Sequence, residues 1–344
     1  NLATDVPIYI LALVIGVYQI FHASINLVTY VLYRKNKIRP RFRLLLDGLV
    51  LVFLGGTSLL SSTGNSVFQL FVLGAYFFLY GLSNIRDGFL FEGEIGKNHL
   101  KRRIRISLPI VLAALIPART LAKINKFMQE NADEREDIHL GMVKSGKTAE
   151  LEIFVHTAET SLFSAIGHVD ICYQGRVISY GNYDPSSETL FGMVGDGVLY
   201  FCDRDKYIDL CKRESQKTLF GYGIDLTPEM EKAVQKKLAE LKQLTIPWEP
   251  SADKIMTGDG KEDYTYAYKI RHETDGELYK FIKSKFKSYF VLSTNCVLLA
   301  DTIVGQAGTD ILSPKGFIAP GTYQAYLNRE FEKPNSIVVS KHVY

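Results

Sequence analysis

The cysteine at position 296 lies where a thiol can become a nucleophile. An apolar run from Phe290 stops at Ser293-Thr294-Asn295, and apolar residues then recur with helical spacing as far as Gly305. This pattern predicts a strand followed by a helix that begins near Cys296, with Ser293 or Thr294 as its N-cap. The free N–H groups and the positive dipole end of a helix start favour a thiolate. The alternative is a buried structural cysteine, which is what most free cysteines are.

A histidine that could serve as the base lies far upstream, at the start of a β-rich segment. His168 follows a glycine and opens the first of two β-rich runs that flank Gln174-Gly175. Two such runs around a glycine-containing pair indicate a β-hairpin. Taken alone, a histidine in this position is more often structural than catalytic.

The residue that orients the histidine depends on the length of the hairpin turn. A three-residue turn, which we favour, places Asn182 opposite His168 and Tyr180 opposite Asp170, where an amide or a phenol can hold the ring. A two-residue turn places Gly181 and Ser179 in those positions instead.

Long apolar segments crowd the first third of the chain and predict membrane spans. Val6–Tyr33, Leu44–Ser61 and Val67–Ile85 are close to or above the roughly 20 residues that a membrane helix needs. The dense cationic stretch Arg34–Arg43 belongs on the cytoplasmic side, which leaves the amino terminus outside. Ile106–Ala118 is short for a fourth crossing but can cross with help from its flanks. We therefore expect a multi-pass protein of the cell membrane whose carboxy-terminal domain is extracytoplasmic; an interfacial helix at Ile106–Ala118 would leave that domain in the cytoplasm.

Composition and charge exclude several classes of protein. The formal net charge is only +3 and no basic stripe alternates with aromatic residues, so nucleic acid is not an expected partner. The four cysteines show neither C-x-x-C spacing nor a zinc pattern. No metal and no cofactor are expected. The sequence predicts a transmembrane domain over residues 1–125, a linker over 126–149 and a catalytic domain over 150–344.

One stretch matches a nucleotide-binding motif but lacks its structural context. Gly141–Thr148 satisfies the P-loop expression letter for letter, and Val297–Asp301 has the character of a Walker B strand. A phosphate cradle needs a hydrophobic strand before the glycines and a helix after them. Ala149–His156 instead alternates with the period of a strand. We expect a glycine turn that enters a strand rather than a nucleotide site.

The order of these parts resembles the circularly permuted branch of the NlpC/P60 papain-like superfamily. The resemblance is carried by Gly167-His168 ahead of a hairpin that ends in Ser179-Tyr180-Gly181, by the helix from Thr227-Pro228 to Leu244, and by Tyr289, Asn295-Cys296 and Asp301. It covers roughly Glu150 to the carboxy terminus. It implies an α+β fold in which an antiparallel sheet packs on helices, here preceded by transmembrane helices.

Joined to a membrane-spanning first third, the domain is most similar to the transferases of lipoprotein N-acylation in Gram-positive bacteria. This resemblance implies a cysteine acyltransferase in which Cys296 is the nucleophile and His168 the base, together with a third polar residue that it does not identify. Where some relatives carry a second histidine, this chain has Tyr180 or Ser179, so the orienting residues Asn182 and Tyr180 are predicted from the hairpin register alone. It also implies a membrane phospholipid as acyl donor, a lipoprotein amino terminus as acceptor, and a second integral membrane protein as partner. A membrane-anchored cell-wall peptidase or amidase, and a non-enzymatic membrane assembly factor, are the alternatives.

Overall fold

The computed structural model describes residues 2–60, 140–144, 149–156, 168–215, 219–256, 260, 262–307, 320–334 and 336–344, together with isolated helical positions between 67 and 81. By internal contacts the chain divides into two compact units, Asn1–Lys101 and Arg102–Tyr344. The predicted spans Val67–Ile85 (apart from those positions) and Ile106–Ala118 lie outside the described residues, as does most of the predicted linker.

The first unit contains two long apolar helices, α1 (Leu2–Lys35) and α2 (Phe42–Leu60). Two segments of them, Ala12–Lys35 and Phe42–Leu60, are long and apolar enough to cross a bilayer. Large apolar side chains cover much of their outer surface, among them Leu13, Val17, Phe21, Leu46, Leu49, Val50 and Phe53. An apolar outer surface on a helix pair is suited to lipid, so these helices are candidate membrane spans.

Glycines bring α1 and α2 close together. A Cβ on Gly48 would lie 2.9 Å from the Leu27 side chain, and one on Gly55 would lie 2.9 Å from Ile20. Small residues at such contacts let two backbones approach, which is the usual way that helices associate in lipid. The pair is therefore held by packing of small residues against branched aliphatic ones.

The second unit is an α+β domain built on one large antiparallel sheet. Its elements, in chain order, are β1 (Leu140–Val143), β2 (Leu151–His156), β3 (His168–Tyr173), β4 (Arg176–Gly181), β5 (Val194–Asp196), β6 (Val198–Asp203), α3 (Arg204–Ser215), β7 (Leu219–Ile224), α4 (Pro228–Lys242), β8 (Thr245–Pro247), β9 (Lys254–Met256), β10 (Glu262–Tyr264), α5 (Tyr266–Glu273), β11 (Glu277–Phe281), β12 (Ser288–Phe290), α6 (Cys296–Val304), α7 (Pro320–Glu332) and β13 (Val338–Val343).

In the described part of the chain, nine strands form the main sheet, in the order β1-β13-β7-β2-β3-β4-β6-β11-β8, and every neighbouring pair is antiparallel. Two small two-stranded sheets pair β9 with β10 and β5 with β12. Successive residues of a strand point to opposite faces, so each central strand contributes to two cores. These observations confirm the α+β class and the antiparallel sheet.

Helices cover both faces of the main sheet. On one face, Val169 and Ile171 of β3 pack with residues of α4, α6 and α7, such as Val234, Leu299 and Leu327. On the other face, a second core joins strand residues to α3 and α5. The second core includes Phe154, Cys172, Val177, Tyr200, Tyr207 and Ile270. The sheet is therefore a central layer between two helical layers.

The hairpin of β3 and β4 has a two-residue turn, so the three-residue register that the sequence favoured is wrong. Tyr173 pairs with Arg176, and Gln174 and Gly175 between them both have positive φ, 51° and 73°. Two positive φ values are typical of a type I′ turn, whose twist matches that of the flanking strands. Carried along the hairpin, this register places Ser179 opposite Asp170 and Gly181 opposite His168.

Two other predictions about local structure are confirmed. The P-loop match is followed by the strand β2 rather than by a helix, and its Walker B-like segment Val297–Asp301 lies in the helix α6. The amphipathic helix α4 begins after Thr227, whose Oγ1 accepts a hydrogen bond from the Met230 N–H, with Pro228 in the first turn. A phosphate cradle needs a helix after its glycines, and β2 is a strand.

Candidate functional site: a cysteine–histidine–aspartate cluster

Cys296 is the first residue of α6, and it therefore lies in the first turn of the helix, as the sequence predicted. The N-cap is Asn295 rather than Ser293 or Thr294, because its side-chain oxygen accepts a hydrogen bond from the Leu298 N–H at 3.1 Å. Thr294 instead donates to the Ser288 carbonyl, and this bond fixes the loop before the helix. The thiol is buried, with 4% of the residue exposed.

His168 is the first residue of β3 and contacts a buried carboxylate. Its Nε2 lies 2.8 Å from Oδ1 of Asp170, two residues further along the same face of the strand. Oδ1 makes no well-aligned hydrogen bond, so this contact is an ion pair. The His168 side chain is 26% exposed, whereas that of Asp170 has no exposed surface. A partly exposed histidine is thus in contact with a fully buried carboxylate.

A second histidine shares the same carboxylate. His156, at the end of β2, pairs across the sheet with His168, and its Nε2 lies 2.7 Å from Oδ2 of Asp170. Tyr207 of α3 also donates a hydrogen bond to this oxygen, and its hydroxyl is 3.2 Å from His156 Nε2. Asp170 is therefore held by two imidazoles and a phenol. The sequence analysis did not identify His156 or assign Asp170 a role.

Two hydroxyl groups complete the surroundings of His168. Its Nε2 lies 2.9 Å from Ser179 Oγ and 3.1 Å from the Tyr183 hydroxyl, and these two oxygens are 2.8 Å apart. The Tyr183 ring packs against Gly181, where a side chain would clash, because a Cβ there would lie 2.6 Å from the ring. Among the described residues, Nδ1 of His168 has no hydrogen-bond partner. The ring is held through one nitrogen and leaves the other available.

The two residues expected to orient His168 lie elsewhere. Tyr180 is in the opposite core, where its hydroxyl donates to the Phe286 carbonyl at 2.9 Å. Asn182 lines the same cavity as His168, but its amide nitrogen is bonded to the Gly192 carbonyl oxygen at 3.5 Å. Both departures follow from the two-residue turn, which exchanges the faces of the residues on β4.

The thiol and the imidazole interact electrostatically, and their elements are neighbours, because α6 packs on β3. The pKa of His168 is lowered by burial, but the Asp170 carboxylate, the Tyr183 phenol and the Cys296 thiol outweigh this effect, so the pKa lies well above 6.5. Burial raises the pKa of Asp170, yet the charge of His168 and the hydrogen bond from His156 hold it well below its usual range. An ionised Asp170 and a protonated His168 are therefore the favoured state.

Tyr289 connects the thiol to the cavity. Burial raises the pKa of its phenol well above 10, and the neighbouring Cys296 thiol raises it further. The ring also lines the cavity that contains His168, whereas Cys296 does not. Tyr289 thus belongs both to the cavity wall and to the surroundings of the thiol.

The cavity beside His168 has a volume of about 350 Å³. Its wall contains both histidines, three tyrosines and two acids; the residues are His156, His168, Gly181, Asn182, Tyr183, Glu188, Gly192, Cys211, Glu214, Tyr266 and Tyr289. Burial raises the pKa of the Cys211 thiol to about 12, so this second cysteine stays protonated near neutral pH. Among the described residues, no group of three or more His, Cys, Asp or Glu side chains could hold a metal ion.

No protein-family model, no curated protein and no solved structure matches this chain. The site is therefore interpreted from its own geometry. One signal for the missed acid is present in the sequence: His168 and Asp170 are two residues apart in a predicted strand, a spacing that places both on one face. His156 could not be found in this way, because its position opposite His168 depends on the pairing of β2 with β3.

Proposed function

We propose that this protein is a membrane-bound cysteine acyltransferase that moves a fatty acyl chain from a phospholipid, through a thioester on Cys296, to the amino terminus of a lipoprotein. The observation that carries the proposal is a thiol at a helix start, Cys296, that helps to raise the pKa of His168, whose imidazole contacts the buried Asp170 carboxylate. The two candidate membrane helices of the same chain support a lipid substrate.

The first half-reaction forms the thioester. The step starts from the minor, neutral form of His168, which has lost its proton to solvent. This imidazole takes the proton of Cys296, and Nδ1 is the nitrogen for the transfer because Nε2 is engaged with Asp170. The sulfur attacks the ester carbonyl of the phospholipid, a C–S bond forms, and the C–O bond to the glycerol breaks. The imidazolium returns its proton to the departing alkoxide. N–H groups at the start of α6 are available to bind the oxyanion of the tetrahedral intermediate.

The second half-reaction uses an amine. An acceptor ammonium group loses one proton to solvent, and the resulting amine attacks the thioester carbonyl. The C–S bond breaks as the amide forms, and His168 transfers the second amine proton to the thiolate, which restores the Cys296 thiol. Thioesters react faster with amines than oxygen esters do, so a cysteine nucleophile suits transfer.

The acyl-enzyme can be tested directly by intact mass spectrometry. The full-length protein in detergent is incubated with vesicles of palmitoyl-oleoyl phosphatidylglycerol and phosphatidylethanolamine, and we expect the mass of one acyl chain on the peptide that contains Cys296, removable by neutral hydroxylamine. Cys296→Ser must lose the hydroxylamine-labile adduct. Cys211→Ser is the matched control, since this second cysteine lines the same cavity, and it must keep the adduct.

A second measurement separates transfer from the alternatives. The amino-terminal peptides of lipoproteins from a strain that lacks the protein are measured by mass spectrometry. We expect these peptides to be without the added acyl chain. Unchanged amino-terminal acylation would contradict the transferase. Release of peptides from cell-wall fragments by the purified protein, without a lipid adduct, would favour a peptidase, and full biological function of Cys296→Ala would favour an assembly factor.

A further inference from the structure

One corner of the cavity is formed around two glycines by Asn182 and Glu188. A Cβ on Gly192 would lie 3.4 Å from Glu188 Oε2, and the Gly192 carbonyl accepts the hydrogen bond of the Asn182 amide. A Cβ on Gly195 would lie only 2.0 Å from Asn182 Oδ1. The asparagine side chain therefore fits only because position 195 is glycine, and it lies against the loop that carries Glu188.

Within the part of the chain that the structure describes, two acceptors of this corner lack a protein donor, the buried Oδ1 of Asn182 and the carboxylate of Glu188, which is an exposed residue. Oδ1 of Asn182 is buried and has no hydrogen-bond partner. Among the described residues, the Glu188 carboxylate makes no side-chain hydrogen bond and no ion pair, whereas the other acid of the cavity, Glu214, is bound by Lys269. No lysine or arginine belongs to the described part of the cavity wall. A buried acceptor without a donor costs free energy until a ligand supplies one.

We infer that this corner is the subsite for the ammonium group of the acceptor substrate, with Glu188 supplying the negative charge and Asn182 Oδ1 a second acceptor. The inference rests on the proposed function and names where its second substrate binds. A primary ammonium has three donors and no acceptor, so it matches a carboxylate and an amide oxygen on one side while its third N–H faces the thioester.

The same chemistry separates the two substrates. Glu188 repels the phosphate of a phospholipid headgroup, so the acyl donor has to approach the thiol from another direction. Burial raises the pKa of Glu188, and the negative charge of the nearby Asp184 raises it further to a smaller extent. A bound cation would offset this rise in pKa. The ammonium group would then be held near His168 until it is deprotonated.

The test compares the two half-reactions in Glu188→Gln. The full-length protein is first acylated from the phospholipid vesicles, and a synthetic diacylated lipopeptide with a free amino terminus is then added. We expect Cys296 to be acylated at the wild-type rate, whereas KM for the lipopeptide rises about tenfold to a hundredfold, the loss of one hydrogen bond to a charged group. Transfer to hydroxylamine, which is uncharged near neutral pH, should not change.

Glu273→Gln is the matched control, an exposed glutamate of α5 that pairs with Arg213. A second variant, Asn182→Leu, removes the free acceptor and should raise KM for the lipopeptide in the same direction. An unchanged KM for the lipopeptide in Glu188→Gln, with normal acylation of Cys296, would overturn the subsite and leave the transferase standing. Absence of any acyl-Cys296 in the wild-type protein would overturn both.

Discussion

At the scale of single residues, Asp170 determines the electrostatics of the site. It is buried, contacts two histidines and a tyrosine, and keeps a positive charge on His168 favourable. We expect Asp170→Asn to lower the pKa of His168 and to reduce the rate of acyl transfer by about 10²- to 10⁴-fold, the range for loss of acid–base function. The pH dependence of Cys296 alkylation by iodoacetamide measures the change. Asp205→Asn, in an exposed carboxylate, is the control, and equal effects of the two would contradict this role.

The same ion pair predicts how stability depends on pH. The raised pKa of His168 contributes stability that is complete below 6.5 and is lost as the pH rises through that raised pKa. The depressed pKa of Asp170 contributes stability above 3.8 that is lost as the pH falls. We expect the free energy of unfolding of the domain to be largest between these values and to fall above 6.5, and chemical denaturation at several pH values tests this. Asp170→Asn should flatten the curve.

Tyr289 allows a test of access to the nucleophile. Tyr289 lines the cavity and neighbours Cys296, which does not line it. We therefore expect Tyr289→Leu to raise the rate of alkylation of Cys296 by about an order of magnitude, since buried thiols react slowly. Tyr289→Phe keeps the ring and should leave the rate nearer to that of the wild type. Tyr264→Ala, in a partly exposed tyrosine of β10, is the control. Equal rates in all variants would show that the sulfur is reached by another path.

At the scale of secondary-structure elements, the start of α6 matters more than its length. The helix has nine residues, and its N-cap bond from Asn295 fixes where Cys296 lies. We expect Asn295→Ala to destabilise the domain by about 0.5–2 kcal/mol and to lower acylation of Cys296. Thr227→Ala removes the corresponding cap of α4 and should cost similar stability without loss of acylation. Loss of acylation in both variants would indicate a general effect of instability.

The elements that could be predicted from sequence are those with a local cause. The cap and first-turn proline of α4 lie next to each other in the chain, and so do the strand and helix on either side of Cys296. The hairpin register could not be predicted, because it depends on Gln174 adopting a positive φ, which is uncommon outside glycine, asparagine and aspartate. An Asn-Gly pair would have indicated the two-residue turn. The partners of Asp170 come from β2 and α3, and their approach is tertiary.

At the scale of the whole molecule, the proposed location can be tested with introduced cysteines. All four native cysteines are buried, so background labelling should be low. We expect Lys236→Cys, in an exposed residue of α4, to react with a membrane-impermeant maleimide in intact cells. Lys35→Cys, at the end of α1, should react only after permeabilisation, as expected for the cationic segment. The reverse result would place the domain in the cytoplasm and remove the proposed lipoprotein acceptor.

The position of β13 has a consequence for how the domain is made. This strand lies between β1 and β7, and its register pairs Leu140 with Val343, near opposite ends of the domain sequence. Contacts between such distant residues slow folding, because a long loop has to close before they contribute. During synthesis, β1 and β7 would emerge from the ribosome long before their shared neighbour and would wait with unpaired edges. We expect such a nascent chain to bind a chaperone that covers the exposed strand edges until β13 has been synthesised.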